Sequence, residues 1–333
     1  MNKEIVLEVV TLKKWFPVRK DIISSLLSKE QTYVKAVDGV SFEIRRGEIF
    51  GLAGESGCGK TTTGKTILRL LEPTAGEIRF EGIDLATLRK SEMRAIRKKM
   101  QIIYQDPYES LNPRMRIFDI VCEPISVHEL AQNLSERREM VAAALEDVEL
   151  SPAEEFVHRY PHELSGGQRQ RVAIARALVL GPRFIVADEP ISMLDVSIRA
   201  GILSLMLKLE LKFHMSYLFI THDLAVARHV CHRLAIMYLG KIVEVGPTEN
   251  LIANPLHPYT AALMTAVPVP DPTAERIKIA ISGEVSASPT PPSGCRFHPR
   301  CPCVLDTCKS IEPELTEVNK EHLVACHSAT TRQ

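Results

Sequence analysis

One run constrains this chain more than any other: Gly54-Glu55-Ser56-Gly57-Cys58-Gly59-Lys60-Thr61, which fits G-x-x-x-x-G-K-[ST]. An apolar stretch, EIFGLA, leads into it and TTTGKTILRLL follows. A strand that enters a glycine-rich turn and leaves as a helix is an anion site by construction. Glycines let successive amides turn inward without Cβ clashes, and the helix N-terminus adds a favourable dipole. Gly54 to Thr61, with Thr62 after them, are thus candidate phosphate-binding residues. Lys60 supplies a point charge between β- and γ-phosphates, and the Thr61 hydroxyl ligates Mg²⁺. A glycine turn before a helix can be merely structural, but the strand and helix on either side favour the phosphate reading.

The same chemistry predicts a partner carboxylate. Arg183-Phe184-Ile185-Val186-Ala187-Asp188-Glu189 reads as a buried strand ending in two acids. In a parallel sheet such an end lies at the ligand-binding edge. Asp188 is then placed for Mg²⁺, and Glu189 for polarising an attacking water. EIFGLAG, MQIIYQ, RFIVAD and SYLFITH are short apolar runs separated by helical patterns at 60–71, 168–180 and 196–213. That alternation predicts an α/β fold with a mainly parallel sheet. VLEVV, VSFEI and EIRF alternate with period two and predict an antiparallel piece near the N-terminus. Residues 113–162 read as a helical subdomain.

With 333 residues, 45% apolar and 25% charged, the chain has ample material for a core. Its 41 basic and 41 acidic residues balance, which argues against a protein that coats nucleic acid. No apolar run approaches the roughly 18 residues of a membrane span, and the N-terminus carries no secretory signal, so the chain reads as soluble and intracellular. Beyond about residue 266 a linker rich in proline, serine and threonine leads to a tail, 295–333, that holds Cys295, Cys301, Cys303, Cys308 and Cys326. In a reducing compartment such clustering favours metal or redox chemistry over disulfides.

Leu164-Ser165-Gly166-Gly167-Gln168 opens a second helix with a phosphate-seeking N-terminus. One nucleotide does not need two such ends from one chain. LSGGQ resembles the signature of the ATP-binding cassette (ABC) family, and the likeness covers residues 1 to about 265. It implies that Ser165, Gly166, Gly167 and Gln168 cap a nucleotide held by the P-loop of a second ATPase subunit, paralogue or copy, in a head-to-tail dimer. It also implies that Gln105 is the Q-loop glutamine, touching Mg²⁺, and that His222 is the switch histidine. Ser192-Met193-Leu194-Asp195 resembles the D-loop, with Met193 where a small residue is usual. Phe16 is the choice for stacking adenine, with Trp15 and Tyr33 competing because residues 19–32 look like an insertion.

PLHPY at 255–259 and GCRFHPRCP at 294–302 resemble the C-terminal extension of ATP-binding subunits of oligopeptide/dipeptide importers. SGGQRQRVAIARAL and DVSI look like the F-type subunit. The resemblance implies an ATPase on the cytoplasmic face of the membrane, beneath two permease subunits fed by a solute-binding protein. Peptide is the leading cargo, with oligosaccharide or nickel as alternatives. A soluble ABC ATPase acting on DNA or ribosomes is the rival of a different class. The extension also implies a [4Fe–4S] cluster on Cys295, Cys301, Cys308 and Cys326, with Zn²⁺ as the competitor and free thiols the plain alternative.

Overall fold

The computed structural model describes residues 4–18, 31–265 and 291–330. Nearly all of the expected linker, 266–294, and of the insertion at 19–32 lies outside them. The strands, in chain order, are β1 (Ile5–Pro17), β2 (Tyr33–Arg45), β3 (Ile49–Ala53), β4 (Ala75–Phe80), β5 (Ile83–Asp84), β6 (Met100–Ile103), β7 (Phe184–Asp188), β8 (Ser216–Thr221), β9 (Arg233–Tyr238), β10 (Lys241–Pro247), β11 (Thr316–Asn319) and β12 (His322–Val324). The chain forms two compact units. One comprises Met1–Val6, Ile44–Glu48 and Thr87–Phe219; the other comprises Leu7–Glu43, Ile49–Ala86 and Ile220–Gln333.

The second unit carries the P-loop. Its β1 and β4 pair antiparallel, as do β4 and β5, in a sheet of order β2-β1-β4-β5. β4 alternates as its sequence dictates, with Ile78 and Phe80 buried and Glu77 and Arg79 exposed. In the same unit β3 runs parallel to β9, pairing Leu52 with Ala235. All five residues of β3 are buried, which is why it reads as an unbroken apolar run. β9, β10, β12 and β11 continue outward in that order, each pair antiparallel. The two tail strands, β11 and β12, lie in a segment where the sequence suggested only cysteine chemistry. The helix after the P-loop spans Lys60–Ile67, four residues shorter than expected. It stops because Arg69 turns left-handed (φ +48), while its amide and that of Leu70 return to the carbonyls of Thr66 and Lys65.

The first unit holds the parallel pair β6 and β7, with β8 beside β7. Between Pro107 and the start of β7 every regular element is helical: Pro107–Ser110, Ile117–Val127, Leu134–Asp147, Glu154–Val157 and Gly166–Leu178, with a short 3-10 turn at Pro161–Glu163. Side chains start these helices where the sequence supplies a cap. Asp106 accepts from the Tyr108 amide, Asn133 from Glu136 and Ser165 from Gln168. Val196–Phe213 follows β7 as one helix, with the expected limits. The basic run Arg89–Lys99 is mostly solvated, with Arg89 closing on Glu92. No helix among the described residues is long and apolar enough to cross a membrane.

Candidate active site

In the second unit the P-loop is held by backbone closeness as well as by glycine flexibility. A Cβ on Gly54 (φ +153) would lie 2.2 Å from the Met237 carbonyl oxygen, and one on Gly59 (φ +110) 2.1 Å from that of Ala36. Neither position tolerates a side chain. Gly57 (φ +78) faces open space, so only its backbone conformation asks for glycine. Lys60 is buried, and its ammonium donates to the carbonyls of Gly54 (2.8 Å) and Glu55 (3.0 Å). Ser56 and Gly57 are exposed, Thr61 and Thr62 half-buried. Cys58 is buried beneath the loop, and desolvation pushes its thiol above the ordinary range although Lys60 pulls the other way. A buried, protonated thiol fits the role of a small filler.

His222 is exposed, directly after β8. The turn around it is fixed on both sides: Asp223 N–H donates to Thr221 Oγ1 (2.9 Å), and Asp223 Oδ1 accepts from Ala225 and Val226 as the next helix begins. Among the aromatic candidates, Trp15 and Tyr33 lie 6.2 Å apart, and Trp15 Nε1 donates to Asp38 Oδ1 (3.0 Å). Phe16, half-buried, carries the Lys14 ammonium 5.0 Å over its ring.

In the first unit Asp188, buried, ends β7, and Glu189 follows in the left-handed region at φ +47. That conformation costs a non-glycine residue about 1–2 kcal/mol and is held by its neighbours. The amide and hydroxyl of Ser192 both donate to the Glu189 carbonyl, at 3.1 and 3.0 Å. Gln105 Nε2 donates to Glu189 Oε2 at 3.2 Å, so two residues 84 positions apart meet at the end of β7.

The signature and the D-loop share a surface in this unit. Ser165 Oγ accepts from the Gln168 amide, and Gln168 Oε1 from the Ser165 amide, closing a capping box at the exposed start of the helix. A Cβ on Gly167 would lie 2.6 Å from Ile198 Cγ2. Arg199, near the start of the helix that follows the exposed Asp195, donates to the Leu194 carbonyl. Met193, which departs from the family pattern, is 63% exposed, so the D-loop turn closes without it. The signature helix also grips the segment after Gln105: Arg169 lies 3.9 Å over the Tyr108 ring, and Arg176 donates to the Ser110 carbonyl.

Residues 37–192 match the family described as ABC transporter, and residues 243–308 the family described as oligopeptide/dipeptide transporter, C-terminal region. The oligopeptide transport ATP-binding protein AppF of Bacillus subtilis is 47% identical over 329 residues, covering 98% of both chains. The chain belongs to the ABC transporter ATP-binding proteins. A Brucella ovis relative named as a peptide import ATP-binding protein is 50% identical over 293 residues, 88% of this chain and 92% of its own. Among solved structures, the ADP- and Pi-bound post-hydrolysis dimer of an ATP-binding cassette superposes with a TM-score of 0.62 at 31% identity, over 73% of this chain and 98% of the other.

This ABC protein has a third set of residues that the sequence did not single out, all in the second unit. The hydroxyl of Tyr259, the last residue of PLHPY, accepts from the Glu55 amide of the P-loop (2.9 Å). Leu256 and His257 amides donate to the buried Glu244 carboxylate, which also pairs with His322 of the tail (2.7 Å). From the tail, Phe297 packs into Tyr238, His257 and Tyr259, with ring centroids 5.3 to 5.6 Å away. Arg296 pairs with Asp38 and donates to the Leu239 carbonyl. Burial pushes the Asp38 carboxyl up, but Arg296, Lys241 and Lys35 outweigh it and leave it below the ordinary range. Arg300 forks onto Glu55 at 2.9 and 3.2 Å. The motif strings PLHPY and GCRFHPRCP were the available signal; read as marks of a subfamily, they hid these contacts.

The metal expectation finds no support in the geometry. Among the described residues no three His, Cys, Asp or Glu side chains are arranged to hold a metal ion. Cys295 is pushed up to about 11 by desolvation first, and then by Cys308, Cys326 and Cys301; Cys301 is raised in the same way, with Cys303 among its neighbours. Metal ligation would require these thiols as thiolates.

Proposed function

We propose that this chain hydrolyses ATP to drive a peptide importer. Membership of the ABC ATP-binding proteins and the C-terminal oligopeptide/dipeptide region support the reading. The observation that carries the chemistry is the Gln105–Glu189 hydrogen bond beside Asp188 at the end of β7. Lys60 and the amides of the P-loop hold the β- and γ-phosphates. Thr61, Gln105 and Asp188 would each be a ligand to Mg²⁺, which when bound would neutralise charge on the phosphates. Glu189 accepts a proton from the attacking water, and Gln105 and His222 register the γ-phosphate. Phe16 stacks on adenine. Ser165, Gly166, Gly167, Gln168 and Asp195 serve the site of a second ATPase subunit. With that second subunit the chain sits beneath two permeases, whose loops contact it near Gln105 and the helical segment, where a cavity of about 190 Å³ is lined by Gln101–Tyr104, Pro124 and Arg176. The chain then sits peripherally on the cytoplasmic face.

The C-terminal cysteines enter this reading only as a candidate [4Fe–4S] or Zn²⁺ site resting on their sequence spacing, and no step passes through them. Iron, sulfide and zinc content of anaerobically purified protein decides between metal and free thiols. For the ATPase, Glu189→Gln should preserve ATP binding and lower turnover by 10²-fold or more, on the order of what a general base contributes. Wild-type hydrolysis by this variant would remove Glu189 from the role.

A further inference from the structure

Glu55 is gripped at three points. Its amide donates to Tyr259 Oη (2.9 Å), its carboxylate takes both arms of Arg300, and its carbonyl accepts the Lys60 ammonium (3.0 Å). The first two partners come from the C-terminal part of the chain, Arg300 from 245 positions away. They are themselves anchored. Tyr259 is fully buried, with its amide on His257 Nδ1 and its ring 4.7 Å from Tyr238. Arg300 ends a short turn, His298–Arg300, pinned by buried Phe297 and by Arg296 on Asp38. Arg300 also reaches Tyr238 Oη at 3.4 Å and lies 5.8 Å over its ring. A bidentate guanidinium–carboxylate pair fixes direction as well as distance. One of the two carbonyls that seat Lys60 therefore belongs to a residue whose other two handles are held by Tyr259 and by Arg300 of the tail.

We propose that Arg300, with Tyr259, is a positioning residue for the P-loop: the C-terminal extension sets nucleotide affinity by clasping Glu55. This rests on the reading of Lys60 as the phosphate lysine. It explains why PLHPY and CRFHPR occur in one chain, since one supplies the hydroxyl and the other the guanidinium that meet on one residue.

The test is binding of a fluorescent ATP analogue to the full-length chain. Arg300→Ala should weaken binding about tenfold, the scale of a lost charge-assisted pair. Arg300→Lys should fall between, because an ammonium cannot fork across both oxygens. Tyr259→Phe keeps the ring, removes only the acceptor, and should cost about threefold. The decisive arm is the exchange Glu55→Arg with Arg300→Glu. A positioning contact predicts recovery of most of the affinity lost by either single variant; a merely structural role predicts that the losses add. Lys60→Ala separates this proposal from the function reading. If wild type and Lys60→Ala bind alike, the phosphate site itself falls. If Lys60→Ala fails while Arg300→Ala and Tyr259→Phe bind as wild type does, only the clasp is overturned.

Discussion

Acidification should loosen the second unit through one residue, His257. Its side chain is buried against Phe297, and its Nδ1 accepts the Tyr259 amide at 3.0 Å, so it must be neutral. Desolvation pushes it down to about 4 from an ordinary 6.5, with Glu244 pulling weakly the other way. Below pH 6.5 the unfolded chain takes up this proton first, so stability falls as pH falls and levels off below about pH 4. At 1.36 kcal/mol per unit the displacement is worth about 3 kcal/mol. The perturbation is His257→Asn, whose Oδ1 offers an acceptor near the position of Nδ1 but does not titrate. The assay is urea unfolding followed by the fluorescence of Trp15, the single tryptophan, which lies in the same unit. The stability of wild type minus that of the variant should be flat above pH 7 and fall by about 3 kcal/mol between pH 6.5 and 4. Carboxylates common to both proteins cancel in the difference. A difference that stays constant within roughly 0.5 kcal/mol across that window would refute the argument.

Two further outcomes follow from geometry. Gly59→Ala puts a methyl 2.1 Å from the Ala36 carbonyl oxygen at φ +110; it should cost about 3 kcal/mol or more of stability, read in the same urea assay, and a loss under about 1 kcal/mol would show that the loop shifts cheaply. In native protein a maleimide should label exposed Cys303 first and reach buried Cys58, Cys122 and Cys231 only on unfolding. Labelling of Cys58 at the rate of Cys303, measured by mass spectrometry of peptides, would contradict the buried P-loop floor.

What could be read from the sequence was chemistry carried by contiguous residues. The P-loop, the signature and the acids after β7 each depend on local spacing, so a strand, a glycine turn and a helix start suffice to reveal them. The core strands are legible for the same reason, since burial on both faces leaves an unbroken apolar run. Glu55 with Arg300 and Glu244 with His322 leave no such trace, because the partners are 245 and 78 positions apart and neither has a periodic signature. Nor does any pattern announce that Glu189 adopts φ +47; that is imposed by Ser192 and the turn beyond it. The four C-terminal thiols are the reverse case. Their spacing suggests a ligand set, but no three of the described side chains are arranged as one.

The hairpin β11–β12 has a consequence for solubility. β12 pairs with β10 through Glu244↔Val324 and Val245↔Leu323, and β11 then pairs with β12. β10 is largely buried, with Ile242, Val243 and Val245 in its middle. Stripped of β12, it would offer an open row of amides and carbonyls beside apolar side chains, a template for another chain to pair with. The outermost strand is instead only four residues, TEVN, with Glu317 in solvent. The extension thus ends the sheet on a short, charged rim, and cutting the chain after β10 should leave an edge that self-associates, read as a larger species by size-exclusion chromatography.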